Sequence, residues 1–298
     1  MWRAAASGFL LTAAALGGPP PGGDCRAPAL KIEASSASPR QGGIVAVTLR
    51  SSVPLSRATL SDGKHEAAME ADEVGTTLRA LWGIDFESTV GSRRVQAEAV
   101  GLCGDTHHSS WDLKVVAGKF RSQQLKVDPA YVEVPPSELE RIREDKEKVA
   151  RVWAAGSSRR RWDGPFRLPV DAEPRENFGA RRLFNGKPRS RHEGVDLAAP
   201  AGAPVAAPAA GVVALADELY FSGGTVILDH GAGLFTTYFH LSRIDVTVGE
   251  RIEPGAILGT VGATGRATGP HLHWGARVNR SRVNPLDLLH LPRWPAEP

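Results

Sequence analysis

Cysteine is nearly absent: Cys25 and Cys103 are the only two in 298 residues, so at most one disulfide can form. An excess of either charge sign is also missing, since 36 Lys and Arg stand against 33 Asp and Glu. A nucleic-acid binder usually concentrates basic residues on one element. Here the densest basic cluster, Ser158 to Arg161, falls between candidate domains and reads as a solvated linker. No apolar run reaches the roughly 20 residues that a bilayer span requires. With 42% apolar and 23% charged residues, the composition is that of folded soluble domains, not of a disordered chain.

The N-terminus, Met1-Trp2-Arg3, is followed by a short apolar stretch, Ala4 to Leu16, and a Gly/Pro-rich segment ending at Gly23. One positive charge, a short apolar core and small residues such as Ala13 and Ala15 fit a secretory signal peptide over residues 1–23. The chain is therefore expected to be exported, to a periplasm, the cell envelope or the medium. In an exported chain two cysteines in one domain pair, which predicts a Cys25–Cys103 disulfide.

From Ala27 to Lys119 apolar and polar residues alternate in short bursts: Ile44 to Leu49, Thr77 to Trp82, Arg94 to Val100 and Trp111 to Val116. Gly and Ser clusters separate them, the spacing of an immunoglobulin-like β-sandwich over residues 24–119. His107 and His108 sit in a Gly-Asp-Thr-His-His stretch and read as a solvated loop. Residues 120–162 form a linker with one helix, Ser137 to Ala155, where Ser137 and Glu140 match a capping box. Its apolar stripe of Leu139, Ile142, Val149 and Val152 is thin, so the helix is expected to lie on a domain surface. Residues 163–298 change to Gly- and Pro-punctuated strands, including a hairpin with Thr225 to Asp229 and Leu234 to Leu241 as its arms. The expected fold class is all-β predominantly.

Five of the nine histidines fall between positions 192 and 273, four of them in distinctive settings. These are His192 in Arg-His-Glu-Gly-Val-Asp, His240 in Tyr-Phe-His-Leu, and His271 with His273 in Gly-Pro-His-Leu-His-Trp; Asp196 ends the first motif. Histidine and carboxylate are zinc ligands, and three of them with an open fourth position mark a catalytic centre. On a strand His271 and His273 would face the same way about 6.6 Å apart. His192 and Asp196 would lie about 13 Å apart in a straight strand, so the chain must turn between them, and Gly194 permits it. A helical His-Glu-x-x-His site is the competitor, but Asp196 stands where its second histidine would be, and Glu193 reads as an exposed bystander. Tyr238 and His240 share a strand face and are expected to line one cavity. Spacing alone does not choose between His271 and His273 as a ligand.

The stretch from about Phe178 to Leu288 resembles the M23, or lysostaphin-type, peptidoglycan endopeptidases, whose LytM domain carries His-x-x-x-Asp, a later Tyr-x-His-Leu and a final Gly-Pro-His-Leu-His. Asn177-Phe-Gly-Ala-Arg-Arg also looks like the entry to that domain, with no role assigned to its arginines. The resemblance implies a β-rich LytM-type (duplicated hybrid motif-like) peptidase domain. It implies that His192, Asp196 and His273 hold one Zn²⁺, while His240 and His271 are unligated catalytic histidines. The implied activity is hydrolysis of stem-peptide or cross-bridge peptide bonds in peptidoglycan by a zinc-activated water. Two rivals stand beside it: a catalytically silent LytM-like regulator binding a cell-wall amidase, and a D-alanyl-D-alanine carboxypeptidase with a related metal site. Peptidoglycan peptides are the expected partners, with no nucleic acid and no stable membrane span.

Overall fold

The structure, a computed structural model, describes residues 25–125, 134–184 and 186–294; the expected signal segment lies outside the described residues. Seven strands come first: β1 (Leu30–Ala34), β2 (Ile44–Ser51), β3 (Leu55–Ser61), β4 (Glu66–Ala71), β5 (Thr77–Gly83), β6 (Gly91–Gly101) and β7 (Thr106–Val115). They are neighbours in the order β1-β2-β5-β4-β3-β6-β7. Period-two patterning drives this. Val45, Val47 and Leu49 of β2, and Val95, Ala97 and Ala99 of β6, are fully buried, while the residues between them are partly or wholly exposed. The Cys25–Cys103 disulfide is present, with Cα atoms 5.5 Å apart. His107 and His108 are not in a loop: both lie on β7, opposite Ala99 and Glu98, because the strand begins directly after the turn at Gly104.

Two short elements follow. A strand, β8 (Ser122–Leu125), pairs in parallel with β9 (Arg181–Phe184), which pairs with β10 (Lys187–Arg191). The linker helix α1 spans Leu139–Ala154. The expected capping box does not form. Ser137 lies in a 3₁₀ turn, Pro136–Glu138, and Glu138 occupies the cap without a side-chain hydrogen bond. Pro136, with φ already preset for helical geometry, starts the turn one step early.

The remaining strands form one large sheet: β11 (Gly194–Leu197), β12 (Pro204–Ala206), β13 (Gly211–Leu219), β14 (Gly223–Gly231), β15 (Leu234–Ile244), β16 (Arg251–Ile252), β17 (Ile257–Val261), β18 (Leu272–Val278) and β19 (Ser281–Val283). Its path runs β11-β18-β15-β14-β13-β16, with β12 and β19 joined at the sides through β17 and β18. Every residue of β14 is buried. Both of its faces are covered, which is why its central Val226, Ile227 and Leu228 are apolar in succession and do not alternate. Val226 and Leu228 enter the main core, while Ile227 joins Leu215, Leu219 and Phe235 under Val149, Val152 and Trp153 of α1. The thin stripe of α1 suffices because it has only this one patch to cover.

The two halves are packed together. Leu81 of β5 belongs to the core of the large sheet, and Asn279 donates to its carbonyl at 2.8 Å. Nor is the Ser158–Arg161 stretch simply solvated: Arg160 is 13% exposed, pairs with Glu70 at 3.0 Å and lies over the Trp162 ring. Its guanidinium is held between the halves because each contributes a partner, a carboxylate from β4 on one side and stacked Trp162 and Trp294 on the other.

One buried polar chain stabilises the large sheet. His230 Nδ1 donates to the Ala210 carbonyl at 2.7 Å, which places the lone pair on Nε2. That nitrogen is 2.7 Å from Thr236 Oγ1, itself 2.7 Å from the Tyr238 hydroxyl. Tyr238 is fully buried and belongs to the core, so it does not share a cavity with His240 as strand alternation suggested. Burial lowers the His230 pKa to about 4, against an ordinary value of 6.5. The unfolded chain therefore takes up this proton as pH falls through 6.5, and the folded chain only near 4, so stability falls with pH across that window and the group contributes no loss above it. By this linkage His230 accounts for about 3 kcal/mol of acid destabilisation. Thermal melts from pH 7 to 4 are expected to show a falling midpoint, and His230→Gln to flatten that dependence while lowering stability at pH 7.

Candidate metal centre

Sheet register brings the first two site residues together. In the antiparallel pair β11–β18, Asp196 is directly opposite His273, so both side chains rise from the same face. His192 arrives from outside any strand, in the short connection between β10 and β11. Its backbone is tied by His192 N to Ala180 O at 3.0 Å and by Gly179 N to His192 O at 2.8 Å. Gly194 serves close approach more than a turn: a Cβ there would lie 2.3 Å from Trp274 O and 2.8 Å from His273 Nε2.

Three ligand atoms converge as a result. His192 Nε2 lies 2.9 Å from Asp196 Oδ1 and 2.8 Å from His273 Nδ1, and His273 Nδ1 is 3.2 Å from the same carboxylate oxygen. All three residues are buried, and they form the one group of three or more His, Cys, Asp or Glu side chains with metal-holding geometry among the described residues. The donor chemistry fits a cation. His192 Nδ1 faces the Asn177 carbonyl at 3.0 Å and so carries its proton, leaving a lone pair on Nε2 aimed at a carboxylate oxygen. Two acceptors so close repel unless a positive charge sits between them.

A second layer orients this set. Asn177 Nδ2 donates to Asp196 Oδ2 at 2.8 Å, and Arg182 on β9 reaches the same oxygen at 3.2 Å. The distal oxygen is thereby occupied and Oδ1 is left facing the two imidazoles. Burial works against the Asp196 charge, but its close contacts with His192 and His273 hold its carboxyl far below the ordinary carboxylate range. Burial lowers His192 as well, and takes His273 down to about 4. Phe239, opposite His273 in register, stacks on its ring with centroids 5.0 Å apart.

His240 and His271 complete the cluster. Their ring centroids are 4.9 Å apart, and His271 Nε2 lies 3.6 Å from Asp196 Oδ1. His240 adopts φ +65°, an uncommon conformation for a non-glycine residue. The strand alternation breaks there, which explains why Tyr238 enters the core while His240 meets the cluster. His240 Nδ1 donates to the Thr264 carbonyl and His271 Nδ1 to the Gly269 carbonyl, both at 2.8 Å. Each keeps its lone pair on Nε2. Desolvation lowers His240 to about 4, so it is neutral at pH 7.

All five residues singled out from the sequence are thus gathered at one place, whereas Glu193 pairs outward with Arg277 and Arg282. Asn177 and Arg182 carried no assigned role in the sequence, although the Asn-Phe-Gly-Ala-Arg-Arg stretch that contains them stood out. Nothing in the spacing betrays Thr264 and Gly269, since they act through backbone oxygens.

Comparison with known proteins agrees with this geometry. Residues 190–285 match the profile described as "Peptidase family M23". The chain is similar to the "Peptidoglycan DD-endopeptidase ShyC" of Vibrio cholerae, 41% identical over 131 residues that make up 43% of this chain and 30% of that protein. It is also similar to the "DD-carboxypeptidase/endopeptidase Mpg" of Neisseria meningitidis, 43% identical over 97 residues, 33% of this chain and 22% of that one. The chain thus spans less than a third of these relatives' length. A crystal structure of a putative M23 peptidase from Pseudomonas aeruginosa superposes with a TM-score of 0.63 at 28% identity, covering 84% of this chain and 94% of that one. The family profile lies over the residues that build the site, and the structural likeness extends across most of both halves.

Proposed function

We propose that the chain is a zinc metalloendopeptidase that hydrolyses peptide bonds in bacterial peptidoglycan. The observation that carries this is the convergence of His192 Nε2, Asp196 Oδ1 and His273 Nδ1 beside two further imidazoles whose Nδ1 protons are fixed by backbone carbonyls. Two nitrogens and one carboxylate oxygen are a donor set suited to tetrahedral zinc with one position left open. His192, Asp196 and His273 are then the ligands. A zinc ion in that place supplies Lewis acidity, lowering the pKa of water at its open position and polarising a carbonyl.

The chain's own groups do the proton work. His240, neutral at pH 7, and His271, each with its Nδ1–H held by a carbonyl and its Nε2 lone pair free, can each accept a proton from the attacking water and return it to the leaving amine. A histidine that carries a proton on Nε2 can donate to the oxygen that becomes negative at the tetrahedral stage. Because Thr264 and Gly269 carbonyls hold both Nδ1–H groups, neither ring can flip to the wrong tautomer without losing a hydrogen bond. Arg182 and Asn177 keep Asp196 ionised and oriented.

The names of the Vibrio and Neisseria relatives favour bonds of the DD type. An enzyme acting on wall peptides works outside the cytoplasm, consistent with export by residues 1–23 and with the disulfide. We divide the rest into an immunoglobulin-like sandwich over 24–119, a linker over 120–162 and the peptidase domain over 163–298. The strand order β1-β2-β5-β4 continued by β3-β6-β7 is the order of such a sandwich. The competing reading, a silent regulator of an amidase, is disfavoured by the complete set of five side chains.

Digestion of purified peptidoglycan, followed by mass analysis of the fragments, is expected to release peptide-cleaved products that vanish with a zinc chelator and return on adding Zn²⁺. Release of none by the zinc-loaded chain would leave the regulator reading. Substitution should separate two phenotypes. His192→Ala and His273→Ala are expected to lose bound zinc, measured by elemental analysis. His240→Ala and His271→Ala should retain it and lower kcat by about 10²-fold or more.

A further inference from the structure

Phe86 is a fully buried aromatic ring that belongs to neither hydrophobic core. It is carried by the connection between β5 and β6 and is inserted into a box built by residues outside the first seven-stranded unit. The rings of Phe120 and Phe178 meet it edge-on, with centroids 6.3 and 5.7 Å away. The guanidinium carbons of Arg282 and Arg191 lie 4.2 and 5.6 Å from its centroid. These contacts require bare backbone nearby: a Cβ on Gly42 would lie 2.4 Å from Phe178, and one on Gly179 2.3 Å from Phe120.

The walls of the box connect by short paths to the cluster. Arg191 immediately precedes His192 and also approaches Glu87, at 3.7 Å. Glu193 immediately follows His192 and is held by Arg282, which in turn grips Asp85 with two contacts of 2.9 Å and Glu87 at 2.6 Å. Phe178 follows Asn177, the residue bonded to both His192 and Asp196. Phe120 precedes Arg121, whose carbonyl accepts from Arg181 N at 2.9 Å, next to Arg182. His192 itself lies between β10 and β11, tied through its backbone to Ala180 and Gly179.

We propose that Phe86, with Asp85 and Glu87 beside it, is a positioning residue for the metal ligand His192, so that the first seven-stranded unit is a working part of the peptidase centre. The inference rests on the ligand assignment above, but not on cleavage. Ligand nitrogens tolerate displacements of only about 0.2 Å, and the side chains on either side of His192, Arg191 and Glu193, both connect to this loop. The contacts act as outer-shell support usually does, for which loss typically weakens metal binding 10- to 100-fold.

The test is zinc affinity of the full chain, by competition with a chromophoric chelator at a temperature well below unfolding. Phe86→Ala is expected to weaken zinc about tenfold or more. Leu60→Ala, which removes a fully buried side chain from the first unit's own core without touching the box, is expected to leave it unchanged. The proposal is overturned if folded Phe86→Ala binds zinc within twofold of the parent, or if Leu60→Ala weakens zinc as much. Should Phe86→Ala fail to fold, Arg191→Met takes its place with the same expectation and the same twofold limit. A chain that binds zinc tightly but cleaves no wall peptide would count against the proposed function and leave this inference standing.

Discussion

The structure depends on one register. Because β11 and β18 run antiparallel with Asp196 opposite His273, a carboxylate and an imidazole are brought to the same face by backbone pairing alone. Moving the pairing by one residue would turn Asp196 to the other face and destroy the site, since side chains alternate with period two. The neighbours make such a slip costly. Val195, Leu197, Leu272 and Trp274 flank the pair and are all fully buried, so a slip would expose large apolar groups and bury charged ones. Gly194 completes the constraint by letting the β11 backbone lie against Trp274 O, where any side chain would collide.

Given that register, the remaining site is organised by backbone oxygens. Asn177 O, Thr264 O and Gly269 O each accept from the Nδ1 of a different histidine. A carbonyl cannot donate, so in each case the proton sits on Nδ1 and the reactive lone pair on Nε2. Three tautomers are therefore chosen by loops, not by acidic partners. This keeps negative charge low around the centre: among the described residues Asp196 is the carboxylate of the cluster, and its distal oxygen is taken by Asn177 and Arg182. Burial then holds His240 and His273 neutral at pH 7, which suits lone-pair donors.

Much of this was legible in the sequence, for identifiable reasons. Period-two bursts marked the strands of the first unit because those strands bury one face, and the pairing of Cys25 with Cys103 followed from there being two cysteines in one domain of a chain expected to be exported. The five site residues were visible because histidine and aspartate recur at strand and turn spacings that few structural needs explain. What stayed hidden was non-local or carried by the backbone. Tyr238 looked like a companion of His240 because alternation assumes regular φ, and His240 at +65° breaks that assumption. Ser137 looked like a cap because Glu140 follows three residues later, yet Pro136 had already begun a turn. Arg160 looked solvated because no sequence rule places Glu70 beside it across 90 positions.

The contrast between Glu193 and Asp196 shows how position assigns chemistry to similar groups. Both are carboxylates within four residues of His192, and both meet arginine. Asp196 is on a buried strand, where one arginine and two imidazoles surround it and its proximal oxygen points inward. Glu193 is 46% exposed and turned outward to Arg277 and Arg282, which link it to the first unit through Asp85. An exposed ion pair contributes little stability on its own, ~0–1 kcal/mol. Here Arg282 also lies over the buried Phe86 ring, so the same pair belongs to a network that reaches across both units. Glu193 therefore joins the segment that carries His192 to the first unit, whereas Asp196 joins the cluster.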